Sequence, residues 1–227
     1  MSGYILSLTT WKKRVEYVGE TIFSFMTQTI PPTKIILNLS KVEFPSISSL
    51  PNSVLLLKHK FHNLIDICLL DGNTKAFKKV IPTLKKYKHT HQLVITADDD
   101  MIYLPTYAAF MLTLVKLYPN CYFSPGTWGN HVHGYAMIYD TSWFKDDLLY
   151  SLTPNDMNAI CSSDLWITEC LSKSNITCKC IPEIAKFIIN KSLEKTALAN
   201  VYTNIPFDER RQAVFNAEKR YYETVNY

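Results

Sequence analysis

Along this chain, short β-branched apolar runs alternate with stretches whose apolar positions recur at helical spacing. Residues 4–8, 34–39, 54–57 and 93–97 read as strands, and residues 15–27 and 74–87 as helices. This alternation predicts an α/β fold, a mostly parallel central sheet with helices on both faces. In such a sheet the C-terminal ends of the strands line one crevice. Those ends are polar here: Thr9 and Thr10, then Asn38 to Ser40, then Asp98-Asp99-Asp100. Pro105 opens a further apolar helix that closes near Pro119, as proline favours a helix start and a stop beyond its end.

The second half is less regular. Pro125 to Gly134 forms a loop rich in glycine, aromatic and imidazole groups, and a strand follows over 135–139. Ser162 reads as the N-cap of a helix whose apolar stripe is Ile167, Cys170 and Leu171. A strand over 176–181 and a helical tail from about Asp208 complete the pattern. Neither an internal repeat nor a linker divides the chain.

With 227 residues, 47% of them hydrophobic, the chain is long enough for a substantial core. A net charge of +4 permits anionic ligands but falls short of the footprint of a dedicated nucleic-acid binder, so no nucleic-acid partner is expected. The start carries neither a basic nor an apolar leader, which predicts a cytoplasmic protein. The longest apolar stretch, 107–115, is far short of the roughly 20 residues that span a bilayer. The tail, with Arg210, Arg211, Lys219, Arg220, Tyr221 and Tyr222, reads as a solvated terminal helix, and peripheral contact with an anionic membrane surface is the alternative. The six cysteines lack the two-residue spacing of a zinc knuckle and read as small buried hydrophobes.

The chemistry concentrates on the acidic triplet. Three adjacent carboxylates repel one another and resist burial, so a strand that ends in them needs a divalent cation or a ligand's donors to offset the charge. Oxygen donors favour Mg²⁺ or Mn²⁺. In an extended chain Asp98 and Asp100 point the same way, which makes them the natural cation ligands and leaves Asp99 the weaker one. An acidic, solvated turn is the competing reading. His131 and His133 alternate in the glycine-bearing loop; His133, beside Gly134, is the preferred nitrogen ligand, and would tilt the choice toward Mn²⁺. Lys75, Lys78 and Lys79 have the spacing of a solvated helix face, but Lys75, after Gly72-Asn73-Thr74, is placed to approach a phosphate. Asp164, in the first turn of its helix beside Trp166, is the candidate general base: the helix dipole lowers its basicity and desolvation by aromatic groups raises it.

Several segments resemble small bacterial family 2-like glycosyltransferases: Ile5 to Trp11 with Arg14, Thr21-Ile22 through Gln28-Thr29 and Pro32, Lys34 to Leu37, Phe77 to Pro82, and Thr96 to Asp100. The resemblance spans most of the chain and is strongest up to Tyr103. It implies the glycosyltransferase-A fold and one domain over 1–227, with a nucleotide-binding half, 1–104, and an acceptor half with the helical tail, 105–227. By that resemblance Asp98 to Asp100 bind the metal and the donor's diphosphate or ribose, Thr9, Thr10 and Arg14 cradle the nucleotide, and Asp164 supplies the base. The first acidic position of the base motif is Ser163 here, and Gly134 to Met137 looks like the acceptor segment. The implied reaction is inverting transfer from a nucleotide-sugar donor, a UDP-sugar foremost, to a glycan or lipid-linked acceptor in surface polysaccharide synthesis, at the inner membrane surface if membrane-associated. Two other classes use parts of this chemistry. A metal-dependent nucleotidyltransferase or nuclease would need a second carboxylate set, for which Asp66, Asp71 and Asp140 are sources. A non-catalytic carbohydrate-binding protein would stack sugars on Trp128 and Tyr135.

Overall fold

A computed structural model describes residues 3–128, 131–133, 136–191 and 205–225, without the side chains of 127, 128 and 131–133. In chain order its elements are β1 (Tyr4–Thr9), α1 (Val18–Met26), β2 (Lys34–Ser40), α2 (Asn52–Lys60), β3 (Ile65–Leu70), α3 (Ile81–Lys86), β4 (Leu93–Ala97), β5 (Met101–Tyr103) and α4 (Tyr107–Leu117). They continue with β6 (Cys121–Ser124), β7 (Gly126–Trp128), β8 (His131–His133), β9 (Ala136–Asp140), α5 (Pro154–Ile160), α6 (Ser163–Lys173), β10 (Thr177–Cys180), β11 (Ile188–Asn190) and α7 (Phe207–Val225). The central sheet runs β3-β2-β1-β4-β9, parallel except for β9. This is the α/β architecture expected from the alternation.

Side chains on a strand alternate between faces, and both faces of this sheet are covered. Tyr4, Leu6 and Leu8 of β1, with Ile35, Leu37 and Leu39 of β2, enter one core, which Val18, Ile22 and Phe25 of α1 and Tyr107 and Met111 of α4 close. Ile5, Ile36 and Val94 point the other way, into a second core with Leu84, Ile160, Trp166 and Cys170. Leu8 of β1 lies opposite Leu37 of β2 and Ala97 of β4, so these strands end together and set Thr9, Asn38 and Asp98 along one edge.

Three local expectations are corrected. Residues 54–57, read as a strand, lie in α2: Val54, Leu57 and Phe61 recur at i, i+3 and i+7 and turn toward the first core, and Pro51 stands at the helix's start. The strand beside β2 is β3, where Asp66 interrupts the apolar run. The helix read over 74–87 divides into a 3₁₀ turn, Lys75–Lys79, and α3, with Pro82 in the first turn of the latter removing a donor and restricting the residue before it. The loop after Pro125 contains an antiparallel pair, β7 with β8.

Polar side chains inside the second face fix the 3₁₀ turn to the sheet. Ser7 Oγ donates to the Lys79 carbonyl at 2.7 Å, and the Asn38 amide donates to Ser7 Oγ at 3.2 Å and to Thr83 Oγ1 at 3.1 Å. Asn38→Ala would leave both hydroxyls short of a buried donor, at an expected cost of about 1–3 kcal/mol in urea unfolding. A loss within error of zero would mean that this network does not hold the turn.

Candidate active site

Where β4 stops, the chain turns through Asp98-Asp99-Asp100 and resumes as β5. The turn is tied from several sides. Thr21 Oγ1 donates to the Met101 carbonyl at 2.7 Å and to that of Asp99 at 3.1 Å, the Lys191 amide donates to the Asp100 carbonyl at 2.9 Å, and the Asp98 amide donates to the Tyr103 hydroxyl at 3.2 Å. Tyr103 is itself wedged between Phe25 and Tyr107, ring centroids 4.6 and 5.0 Å away. The backbone under the carboxylates is therefore held by a packed aromatic cluster.

Each carboxylate has its own surroundings. Asp99 is buried, accepting from Thr10 Oγ1 at 2.6 Å and from Arg14 Nη1 at 2.9 Å. The same Arg14 nitrogen lies 3.0 Å from Asp100, and Asp98 pairs with Lys79. Because the chain turns here, Asp98 and Asp100 do not alternate along an extended strand; they remain the two with partial exposure, 29% and 17% of their side chains. Burial pushes the Asp98 carboxyl up to about 6, Asp100 and Asp164 adding to the rise and Lys79 opposing it. Burial also raises Asp99, against the pull of Thr10 and Arg14. Around Lys79 burial disfavours the charge, yet Asp98, Asp164 and Asp100 together hold the ammonium above its ordinary value.

Asp164 enters from the other half of the chain. Ser162 caps α6, accepting from the Leu165 amide at 3.4 Å, which places Asp164 in the first turn as expected. Its carboxylate is half-buried, within electrostatic range of Lys79 and Asp98, and accepts from the Ser163 hydroxyl at 3.3 Å. The Trp166 ring is fully buried in the second core, and its indole N–H donates to the Leu149 carbonyl at 3.2 Å. β8, which carries His133, runs beside α6, but the His133 side chain lies outside the described residues.

The lysines depart from the solvated-face reading. Lys78 and Lys79 are buried, 2% and 7% exposed, Lys78 against Glu43 and Asn73. Lys75 is half-buried at the start of the 3₁₀ turn with a φ of 54°. Lys79, the residue that meets the triplet, was hidden in the sequence by its helical spacing from Lys75. Thr9 donates to the Asn38 carbonyl at 2.6 Å and so shapes the crevice floor beside Thr10. The indole N–H of Trp11, in the same loop, is buried with no hydrogen-bond partner among the described residues. Other acids stand apart: Asp66 pairs with Lys34 at 3.0 Å, Asp71 is exposed beside Lys41, and Asp140 lies opposite Leu93 at the far edge of the sheet.

Among the described residues no three His, Cys, Asp or Glu side chains converge as a ready-made metal cage. The charge balance nonetheless fits a divalent cation. Four carboxylates, Asp98, Asp99, Asp100 and Asp164, stand against Arg14 and Lys79, while the nearby Lys78 and Lys191 are balanced by Glu43 and Glu20; two negative charges are left over, and the donors are all hard oxygens. Asp98 and Asp100 are the partly exposed members that would hold such an ion.

No protein-family model matches the sequence, and no curated protein does. The likeness to known proteins is one of fold. The mannosyltransferase PcManGT from Pyrobaculum calidifontis, solved with GDP-Man and Mn²⁺, aligns over 81% of this chain and 56% of its own, with a TM-score of 0.58 and 12% identity. TarS of S. aureus, residues 1–349, in complex with UDP-GlcNAc, aligns over 98% of this chain and 73% of its own, with a TM-score of 0.55 and 11% identity. The 4-diphosphocytidyl-2C-methyl-D-erythritol synthase of Anaerococcus prevotii aligns over 89% and 96%, with a TM-score of 0.50 and 14% identity. The chain thus spans little more than half of the mannosyltransferase. It has the glycosyltransferase-A fold that nucleotide-sugar transferases share, as the sequence resemblance implied; at these identities the likeness does not reach family 2 itself. Among the described residues no helix is long and apolar enough to cross a membrane.

Proposed function

We propose that the protein is a metal-dependent glycosyltransferase that moves a sugar from a nucleoside-diphosphate sugar, a UDP-sugar foremost, to a glycan or lipid-linked acceptor with inversion. The observation that carries this reading is the meeting of the Asp98–Asp100 turn with Lys79 and Asp164 at the C-terminal edge of the parallel strands. In this reading residues 1–104 bind the nucleotide and 105–227 the acceptor, within one domain. Thr9, Thr10, Arg14, Lys75, Asp98 and Asp99 form the donor side, with the unpartnered indole N–H of Trp11 a further donor for a nucleotide oxygen. Asp98 and Asp100, joined by His133, would hold Mn²⁺ or Mg²⁺, which when bound would supply charge neutralisation at the departing diphosphate. Asp164 takes the proton of the acceptor hydroxyl while that oxygen attacks the anomeric carbon from the face opposite the leaving group, and the nucleoside diphosphate departs with the bonding pair. Surface polysaccharide synthesis in the cytoplasm, at the inner membrane face where acceptors are lipid-linked, is the setting that matches this acceptor class.

Calorimetric titration of UDP, GDP and CDP with and without Mn²⁺ tests the reading. One nucleotide is expected to bind in a Mn²⁺-dependent manner, and Asp100→Ala to weaken it by roughly tenfold or more, the loss of one charged ligand. Absence of binding to all three would sink it. The fold shared with the 4-diphosphocytidyl-2C-methyl-D-erythritol synthase supports a second reading, nucleotidyl transfer. Product analysis separates the two: glycosyl transfer liberates a nucleoside diphosphate, and nucleotidyl transfer liberates pyrophosphate.

A further inference from the structure

Lys79 is placed unlike an ordinary buried ion-pair lysine. Its backbone is fastened, the carbonyl accepting from Ser7 at 2.7 Å, while its ammonium faces three of the four site carboxylates: Asp98 in direct contact, Asp164 and Asp100 within electrostatic range. Arg14 differs in being paired with Asp99 and Asp100. Asp98 is both the partner of Lys79 and the most exposed member of the triplet.

Resting on the nucleotide-sugar reading above, we propose that Lys79 is an internal counter-ion that holds the place of the divalent cation, and that the donor's diphosphate draws it from Asp98 so that nucleotide and cation enter together. The argument is one of charge and reach. An ammonium on Asp98 repels a divalent ion approaching the same oxygens, so the cation alone meets a site already partly neutralised. A diphosphate brings enough negative charge to accept both cations at once, and the lysine's flexible four-carbon stem lets its nitrogen shift while the anchored backbone stays. Cation and nucleotide then favour one another, and by linkage each raises the affinity of the other by the same factor.

The test is calorimetric titration of Mn²⁺ alone, and of Mn²⁺ at saturating UDP or GDP, into the wild type, Lys79→Met and Lys79→Arg. In the wild type, nucleotide is expected to tighten Mn²⁺ binding by roughly tenfold or more. Lys79→Met, which keeps the apolar stem, should bind Mn²⁺ alone roughly 10- to 100-fold more tightly and lose most of the gain from nucleotide. Lys79→Arg, whose fork grips Asp98 more firmly, should bind Mn²⁺ alone more weakly than the wild type. Unchanged or weaker Mn²⁺ binding by folded Lys79→Met overturns the proposal, and so, should that variant fail to fold, does equal or tighter binding by Lys79→Arg. A wild type that binds Mn²⁺ but no nucleotide refutes the donor reading instead, and the Mn²⁺ affinities of the variants still decide whether Lys79 competes with the cation.

Discussion

Arg14→Leu is expected to lower stability by about 3–5 kcal/mol near pH 7, the largest loss from any single change at the crevice. Its side chain is 6% exposed, and one nitrogen serves two carboxylates, Asp99 at 2.9 Å and Asp100 at 3.0 Å. Leucine would fill part of the space but leave Asp99 buried with Thr10 as its remaining side-chain donor. The loss should also depend on pH in a direction that identifies its cause. Burial already raises Asp99, and Arg14 opposes the rise, so the variant's carboxyl titrates higher still. A carboxyl whose folded pKa lies above its unfolded value adds stability that is full below the unfolded value, about 4, and is lost as pH climbs through the folded one. The deficit of Arg14→Leu should therefore shrink on going from pH 7 toward about pH 5, as Asp99 takes up a proton in the folded protein. Urea unfolding at the two pH values measures this, and an equal deficit at both would assign the loss to packing of the arginine stem instead.

How much of this was legible in the sequence depends on what each residue's signal was made of. The triplet could be placed because β4 is a short apolar run that stops abruptly at Asp98, and Thr10 and Arg14 because they follow the first strand of an alternating pattern. Asp164 could be placed because Ser162 is a capping residue ahead of an apolar stripe. These are local signals, carried within a few residues. Residues 54–57 failed because four apolar residues suit either structure, and only the contact of Val54 with the first core and of α1 with α2 decides it. β3 escaped notice because the edge of a sheet tolerates Asp66 beside Lys34.

Lys79 shows the same limit at the site itself. Lysines at i, i+3 and i+4 describe a solvated face only if the segment is an exposed α-helix. Here Pro82 breaks the helix, and the preceding turn packs onto the sheet through Ser7, Asn38 and Thr83, which turns Lys78 and Lys79 inward. Nothing in residues 74–87 alone encodes that, since the partners lie 72 and 76 positions away. Asp164 and Trp166 part for a related reason: two positions along a helix turn a side chain by roughly 200°, so the ring enters the core while the carboxylate stays half-buried within electrostatic range of Lys79.

Asp164→Asn is expected to reduce transfer by roughly 10²- to 10⁴-fold while leaving nucleotide affinity within about threefold of the wild type. The substitution keeps the shape of the first turn of α6, where Ser162 rather than Asp164 provides the cap, so folding should be little affected. It removes the one carboxylate of the site that comes from the second half of the chain and is tied to neither Arg14 nor Lys79 by direct contact. Its proximity to Lys79 is long-range, so the loss of its charge should leave the Asp98–Lys79 pair and the donor side intact. An amide can still accept a hydrogen bond from an acceptor hydroxyl but cannot take its proton, so the expected signature is a fall in kcat with little change in KM for the donor. Single-turnover release of the nucleoside diphosphate, alongside nucleotide titration, measures both. Were the variant instead to lose nucleotide affinity with its turnover intact, Asp164 would belong with Asp98 and Asp100 as part of the cation and donor cluster, and the base would have to be sought elsewhere on the acceptor side, beginning with the β7–β8 pair that runs beside α6.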